Sequence, residues 1–283
     1  MIRKILVPVR GDGKGENVLA HAAALAQGDA SHIAIAHCRA RPQDMLPFGI
    51  ALPEVLRKQL MDNAVALADA EEQGMKNELE ALAKSLKLNL SGTPNGMTTA
   101  EWIEEEGRQV DVIKRNGRLV DVIVVAQPDV DRNIGANTLK AALFQTGRPV
   151  MMVPNGVAPP QKLGVHVTLA WNGSLEASRA VSMSLPILEQ TDMVTILSTG
   201  AEPNAASARE LSTYLDAHGI KTTIHRFKKK RNVGADLLAL TKELGADTLI
   251  MGAYGDSHER ETIFGGNTQH IVDNAELPVI LVH

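Results

Sequence analysis

The sequence predicts an α/β fold built from two tandem, doubly wound, parallel five-stranded sheets. Two observations carry this reading. The first is a duplication at domain scale. Lys4–Val9 (KILVPV) answers Val165–Trp171 (VHVTLAW), Val120–Val125 (VDVIVV) answers Ala246–Met251 (ADTLIM), and Gly147–Pro154 (GRPVMMVP) answers Glu276–His283 (ELPVILVH). The second is that, within each copy, short β-branched apolar runs alternate with stretches of helical period. That is the pattern of parallel strands covered on both faces, and right-handed crossovers wind such units into a doubly wound sheet. A Pro- and Gly-rich stretch at 155–162 (NGVAPPQK) reads as the linker between domains 1–154 and 163–283.

The second copy is the clearer one. Val165–Trp171 reads as a strand and Leu175–Leu188 as a helix that Pro186 is expected to end early. Met193–Ser198 is a strand, Ala205–Ala217 a helix closed by Gly219, and Lys221–Phe227 a strand of alternating character. Val233–Leu244 is a helix closed by Gly245, and the strands Thr248–Met251 and Val279–Val282 flank a helix at Gly266–Asn274. The first copy follows the same order with a helical insertion at about 40–88, in which Leu56–Leu86 carries apolar residues at helical spacing. The insertion reads as a long surface helix, with a partner-binding arm or lid as the alternative. Trp102, with Glu101, Glu104, Glu105 and Glu106, falls on a stretch read as helical, its carboxylates forming a solvated face.

Composition narrows the function classes. A length of 283 residues suits two domains with separate cores. The 3% aromatic content argues against modules that stack bases of single-stranded nucleic acid. A net charge of -4 gives no general attraction to nucleic acid or to a membrane surface. No unbroken apolar segment is long enough to span a bilayer, and the opening MIRKILVPVR becomes charged too early for a signal peptide. Cys38 is the single cysteine, so no internal disulfide forms, and no Cys/His cluster has zinc spacing. The expected location is the cytoplasm, and neither nucleic acid nor membrane is an expected partner.

The most informative stretch is Met251–Thr268 (MGAYGDSHERETIFGGNT). Gly252 and Gly255 follow the apolar run Thr248–Met251. After nine further residues come Gly265 and Gly266, and Asn267 and Thr268 then open a helix. Glycines let a backbone approach a ligand closely, and the free N–H groups of a helix start attract an anion such as a phosphate. The placement at the carboxyl end of a strand suits a nucleotide.

This Gly252-x2-Gly255-x9-Gly265 pattern, closed by Thr268, resembles the ATP-binding loop of the universal stress proteins. The opening Ile5–Val9 (ILVPV), the segment Leu169–Ser174 (LAWNGS) and the closing LPVILVH extend the resemblance to the whole chain, as a tandem pair of such domains. It implies a fold of the adenine-nucleotide α-hydrolase-like or flavodoxin-like class. It implies ATP as ligand, with Mg²⁺ as an optional counter-ion. Ala170, Trp171 and Asn172 would lie beside the adenine, with Ser198 and Thr199 bordering the base. Met251, Gly252 and Ala253 would pass under the ribose, and Gly255, Gly265, Gly266, Asn267 and Thr268 would hold the phosphates. It also implies edge-to-edge pairing of the domains through Val150–Val153 and Val279–Val282, and association of two chains. The chain departs from the family at Asn172, where Asp is usual, and at Gly266, where a hydroxyl residue is usual.

The first copy lacks the glycine spacing. After Val120–Ala126 it reads Gln127–Gly135, with Asp129 and Asp131 where phosphates would go, and Arg10 ends its first strand. It reads as a nucleotide-free domain with a structural or pairing role. Gly11–Gly15 (GDGKG) fails as a phosphate loop because Gly15 holds the hydroxyl position and Pro8 that of the first Gly. It fails as a dinucleotide loop because Glu16 replaces the third Gly.

The run Arg226–Arg231 (RFKKKR) reads as a solvated connection on the edge of the proposed site, where its lysines would screen phosphate charge. His258, Glu259, Arg260 and Glu261 read as loop residues, with Arg260 folding over the phosphates as the alternative. His270 and Asp273 lack a third metal ligand. No Gly-x-Ser-x-Gly elbow occurs. The expected function is therefore ATP-binding regulation in a stress response, with at most slow hydrolysis or autophosphorylation. An adenylating or ATP-cleaving enzyme and a nucleotide-free scaffold are the alternatives.

Overall fold

A computed structural model describes residues 1–10, 12–26, 30–39, 53–90, 96–200, 205–230, 232–255 and 266–283. The first half runs β1 (Lys4–Val9), α1 (Gly15–Leu25), β2 (His32–Arg39), α2 (Glu54–Ser85), β3 (Thr99–Glu106), α3 (Gln109–Gly117), β4 (Val122–Ala126), α4 (Ala136–Gln145) and β5 (Val150–Val153). The second half runs β6 (His166–Trp171), α5 (Leu175–Leu188), β7 (Met193–Ser198), α6 (Ala208–Ala217), β8 (Thr222–Arg226), α7 (Val233–Glu243), β9 (Thr248–Gly252), α8 (Gly266–Asn274) and β10 (Val279–Val282).

The strands of the described residues form one sheet in the order β3-β2-β1-β4-β5-β10-β9-β6-β7-β8. Each half is parallel throughout and has the order 3-2-1-4-5, which is the Rossmann order; the flavodoxin order is 2-1-3-4-5. Of the two fold labels implied by the sequence, the flavodoxin-like one therefore gives way. At the centre β5 and β10 lie antiparallel, with Val279 opposite Met152 and Leu281 opposite Val150. Apolar layers cover both faces. One gathers Leu19, Ile33, Val181 and Ile196, and the other Ile113, Leu139, Leu249 and Ile271. All eight are at most 3% exposed, so each face is a packed core.

The duplicated sequence produces a duplicated clamp. Asp121, just before β4, accepts the amides of Arg3 (2.6 Å) and Lys4 (2.9 Å). Asp247, just before β9, accepts those of Gly164 (2.8 Å), Val165 (2.8 Å) and His166 (3.0 Å). In both halves a carboxylate at the base of the fourth strand thus holds the entry to the first.

Several expectations need correction. Thr99–Glu106 is not helical but an edge strand. Cross-strand partners override the helix-favouring composition. Trp102 stacks on His37 with centroids 5.6 Å apart, Glu101 lies 3.3 Å from His32 and Glu104 3.9 Å from Arg39. Helix α5 does not stop early at Pro186 but runs to Leu188. The proline sits in the last turn, where only one helical N–H is lost, and the next turn closes through Glu189 N to Leu185 O at 2.9 Å. Helix α6 starts at Ala208 rather than Ala205, because Ser207 and Glu210 form a capping box. The long helix of the insertion spans Glu54–Ser85; residues 40–52 and 91–95 lie outside the described residues.

Candidate functional site

A cavity of about 540 Å³ opens at the carboxyl ends of β6, β7, β8 and β9. It lies where β6 has β7 on one side and β9 on the other, the switch point at which open α/β sheets take ligands. Its size falls in the usual range for a small-molecule site. The side at the ends of β7 and β8 is apolar, with Leu197 and Phe227. The opposite end carries Ser174, Gly255, Asn267 and Thr268. The cavity thus has an apolar slot that fits a flat base and a polar end edged by the starts of α5 and α8.

Local chemistry explains how each wall is held. Trp171 ends β6 and is 8% exposed; its indole N–H donates to Ala206 O at 2.8 Å. Asn172 Oδ1 accepts the Ser174 amide at 3.1 Å, turning the chain, and Ser174 Oγ then accepts the Ala177 amide at 3.2 Å as the cap of α5. Gly173, at φ +75°, lies where a Cβ would come 2.5 Å from Ala205 Cβ. Gly252 ends β9 directly against α5: a Cβ there would stand 2.5 Å from Ala177 N. Gly234 does the same service for α8, since its Cβ would stand 2.5 Å from Asn267 O. Gly252 therefore brings the start of α5 against the end of β9, and Gly234 brings the start of α7 against the start of α8.

Of the residues named from sequence, Ala170, Trp171, Asn172, Thr199, Met251, Gly252, Gly255, Asn267 and Thr268 line the cavity together. Ser198, Ala253 and Gly266 do not. Ser198 is 1% exposed and its Oγ accepts the Gly200 amide at 2.9 Å. Ala253 is packed in the core, its amide donating to Val282 O at 2.8 Å. Gly266 is exposed at the start of α8. Gly265, with His258, Glu259, Arg260 and Glu261, lies outside the described residues. Of the basic run, Phe227 lines the cavity, and Lys228, Lys229 and Lys230 are not among its lining residues.

Sequence reasoning missed Glu176, Tyr254 and Phe227. Tyr254 occupies the left-handed region at φ +58°, packs on Phe144 of the first half with ring centroids 5.1 Å apart, and has its phenol pKa pushed up by burial and then by Asp273. Its signal was available, since it stands between the two glycines of the turn.

The equivalent place in the first half is filled. The cavity there is about 20 Å³. Arg10 lies 3.6 Å from Asp12, Lys14 lies 3.6 Å from Asp129, and Lys14 Nζ donates to Gln127 O at 3.3 Å. The Asp129 carboxyl is held low by the Arg132 amide and by Lys14. A larger cavity, about 760 Å³, lies between β2, the start of α1 and α2, but its walls carry Glu16, Glu71, Glu72 and Glu78 and no turn between a strand end and α8. Among the described residues no His/Cys/Asp/Glu cluster could hold a metal ion, and no helix is long and apolar enough to cross a membrane.

The sequence model of the universal stress protein family matches residues 169–283, which contain this entire cavity. The second half of the chain is thus similar to the universal stress protein family. A universal stress protein of Mycobacterium tuberculosis is 32% identical over 79 residues, a stretch covering 27% of this chain and 27% of that protein. A crystal structure of a universal stress protein from Archaeoglobus fulgidus matches 99% of this chain and 95% of its own, with a TM-score of 0.70 at 17% identity. A second, a putative universal stress protein from Pseudomonas aeruginosa, matches 99% and 93% with a TM-score of 0.56 at 15% identity. At these identities the structural likenesses establish the fold. The universal stress fold thus extends over both halves.

Proposed function

We propose that the second universal stress domain binds an adenine nucleotide and uses it as a conformational ligand in a regulatory, stress-related role. The observation that carries this reading is the 540 Å³ cavity with an apolar slot at one end and Gly255, Asn267 and Thr268 at the other. Base and phosphate have a matching surface at opposite ends of one pocket. Ala170, Trp171, Asn172 and Thr199 border the base, Met251 and Gly252 underlie the ribose, and Gly255, Asn267 and Thr268 face the phosphates. ATP is the family's nucleotide, with Mg²⁺ as its counter-ion. Turnover of ATP would be slow, because the described walls carry no lysine or arginine to stabilise a transferring phosphoryl group.

Domain boundaries of 1–154 and 163–283, joined by the linker 155–162, follow from this reading. The first domain works without nucleotide, its equivalent cavity filled by the Lys14–Asp129 and Arg10–Asp12 pairs. The two domains associate through β5 and β10, which satisfies two otherwise open sheet edges, and whole chains pair further. The protein works in the cytoplasm.

The test is mass spectrometry of what leaves the purified protein on denaturation. An adenine nucleotide is expected from wild type and not from Gly252→Val. Equal amounts from both proteins would remove this pocket as the site. Rapid pyrophosphate release from ATP would instead favour an adenylating enzyme.

A further inference from the structure

Among the described residues that line the pocket, Glu176 is the one charged side chain. It is the second residue of α5 and is 6% exposed. No hydrogen bond or ion pair among the described residues engages its carboxylate. Its position follows from the backbone. Because Gly252 lets the first turn of α5 press on the end of β9, the Glu176 side chain is thrown along the glycine turn. A Cβ on Gly255 would stand 3.2 Å from Glu176 Oε2. The carboxylate therefore sits in the pocket beside Gly255 of the glycine turn.

Among the described residues the charge balance there is close to zero. A helix start acts as roughly half a positive charge. The starts of α5 and α8 both edge the pocket, and together they about offset one carboxylate. A polyphosphate tail brings several negative charges against this neutral end. A ribose brings hydroxyl donors, which a carboxylate with no partner among the described residues accepts well.

We propose that Glu176 sets how much negative charge the pocket accepts: it favours an adenine nucleoside or monophosphate over the triphosphate, and admits the triphosphate chiefly as its divalent-cation complex. This rests on the adenine-nucleotide reading of the same pocket and narrows it. The carboxylate accepts the ligand's hydroxyls. Each added phosphate charge meets like-charge repulsion that is little screened inside the pocket.

Calorimetric titration with adenosine, AMP and ATP, in EDTA and then in Mg²⁺, tests the inference on wild type, Glu176→Gln and Glu176→Ala. Thermal unfolding of each protein checks that it is folded. In EDTA wild type is expected to bind AMP at least about tenfold more tightly than ATP. Glu176→Gln and Glu176→Ala are expected to close most of that gap by strengthening ATP, and Mg²⁺ to close it in wild type. The same AMP-to-ATP ratio in wild type and both variants overturns the role of Glu176 while leaving the nucleotide site in place. No binding of any adenine compound to any of the three proteins overturns the nucleotide reading itself, and this inference with it.

Discussion

The carbonyl carbon of Glu176 lies 2.5 Å from the point where a Cβ on Gly252 would stand. Strand end and helix start are in contact at a distance only glycine permits. Gly252→Ala must therefore push α5 off β9 or twist the strand end. The expected cost is about 1–3 kcal/mol in stability, by analogy with overpacked cores. Gly255→Ala meets only the tip of the Glu176 side chain, at 3.2 Å, and should cost less. Urea denaturation of the two variants measures the difference, and equal midpoints would contradict the packing described.

Trp171 supplies an optical reporter. Its indole N–H donates to Ala206 O at 2.8 Å. In a Trp102→Phe background Trp171 is the one remaining tryptophan. Its emission is expected to be blue-shifted, as for a residue 8% exposed, and to change when AMP is added. Trp171→Phe keeps the ring packing but loses the hydrogen bond, for an expected loss of about 1 kcal/mol in denaturant titration.

The two aspartate clamps predict an asymmetry between the halves. Asp247 holds three amides and also accepts from Thr248 Oγ1 at 2.7 Å, whereas Asp121 holds two amides. Asp247→Ala should destabilise by about 3 kcal/mol and Asp121→Ala by roughly half that, since hydrogen bonds to a charged group are the stronger kind. Denaturant midpoints at one pH rank the two.

Much of the architecture could be read from residue order, and the exceptions have identifiable causes. Helix α8 and strands β7 and β10 were bounded correctly by local pattern alone. Strand β3 was not, because Glu and Ala favour a helix and only His32, His37 and Arg39 on the neighbouring strand make the extended form better. The lining of the candidate cavity was legible where its residues carry a motif, as at Gly252, Gly255 and Thr268. Glu176 was not, because an acidic residue in a first helical turn is ordinary in sequence. Its meaning comes from the contact with Gly252, 76 positions away in the chain. Ser198 and Ala253 sit at the correct strand ends, but the alternation of side chains along a strand turns them into the core.

Glu72 predicts a pH dependence in the first half. It is 8% exposed, 3.7 Å from His37 and 3.6 Å from Arg39. Burial, then Glu104, raises its pKa from 4.5 to about 7. The folded form thus binds a proton more tightly than the unfolded chain. The stabilisation is present below pH 4.5 and is lost as pH rises toward 7. Wild type should lose on the order of 1–3 kcal/mol between pH 5 and pH 8 relative to Glu72→Gln. Denaturation of both proteins at the two pH values checks the sign.

Each chain is expected to hold one adenine-nucleotide site, in its second half. Isothermal titration of wild type with AMP measures it most directly, alongside Gly252→Val as the blocked form. One molecule bound per chain, abolished by Gly252→Val in a protein that remains folded, is the predicted result. Two molecules per chain, or binding that survives Gly252→Val unchanged, would contradict it.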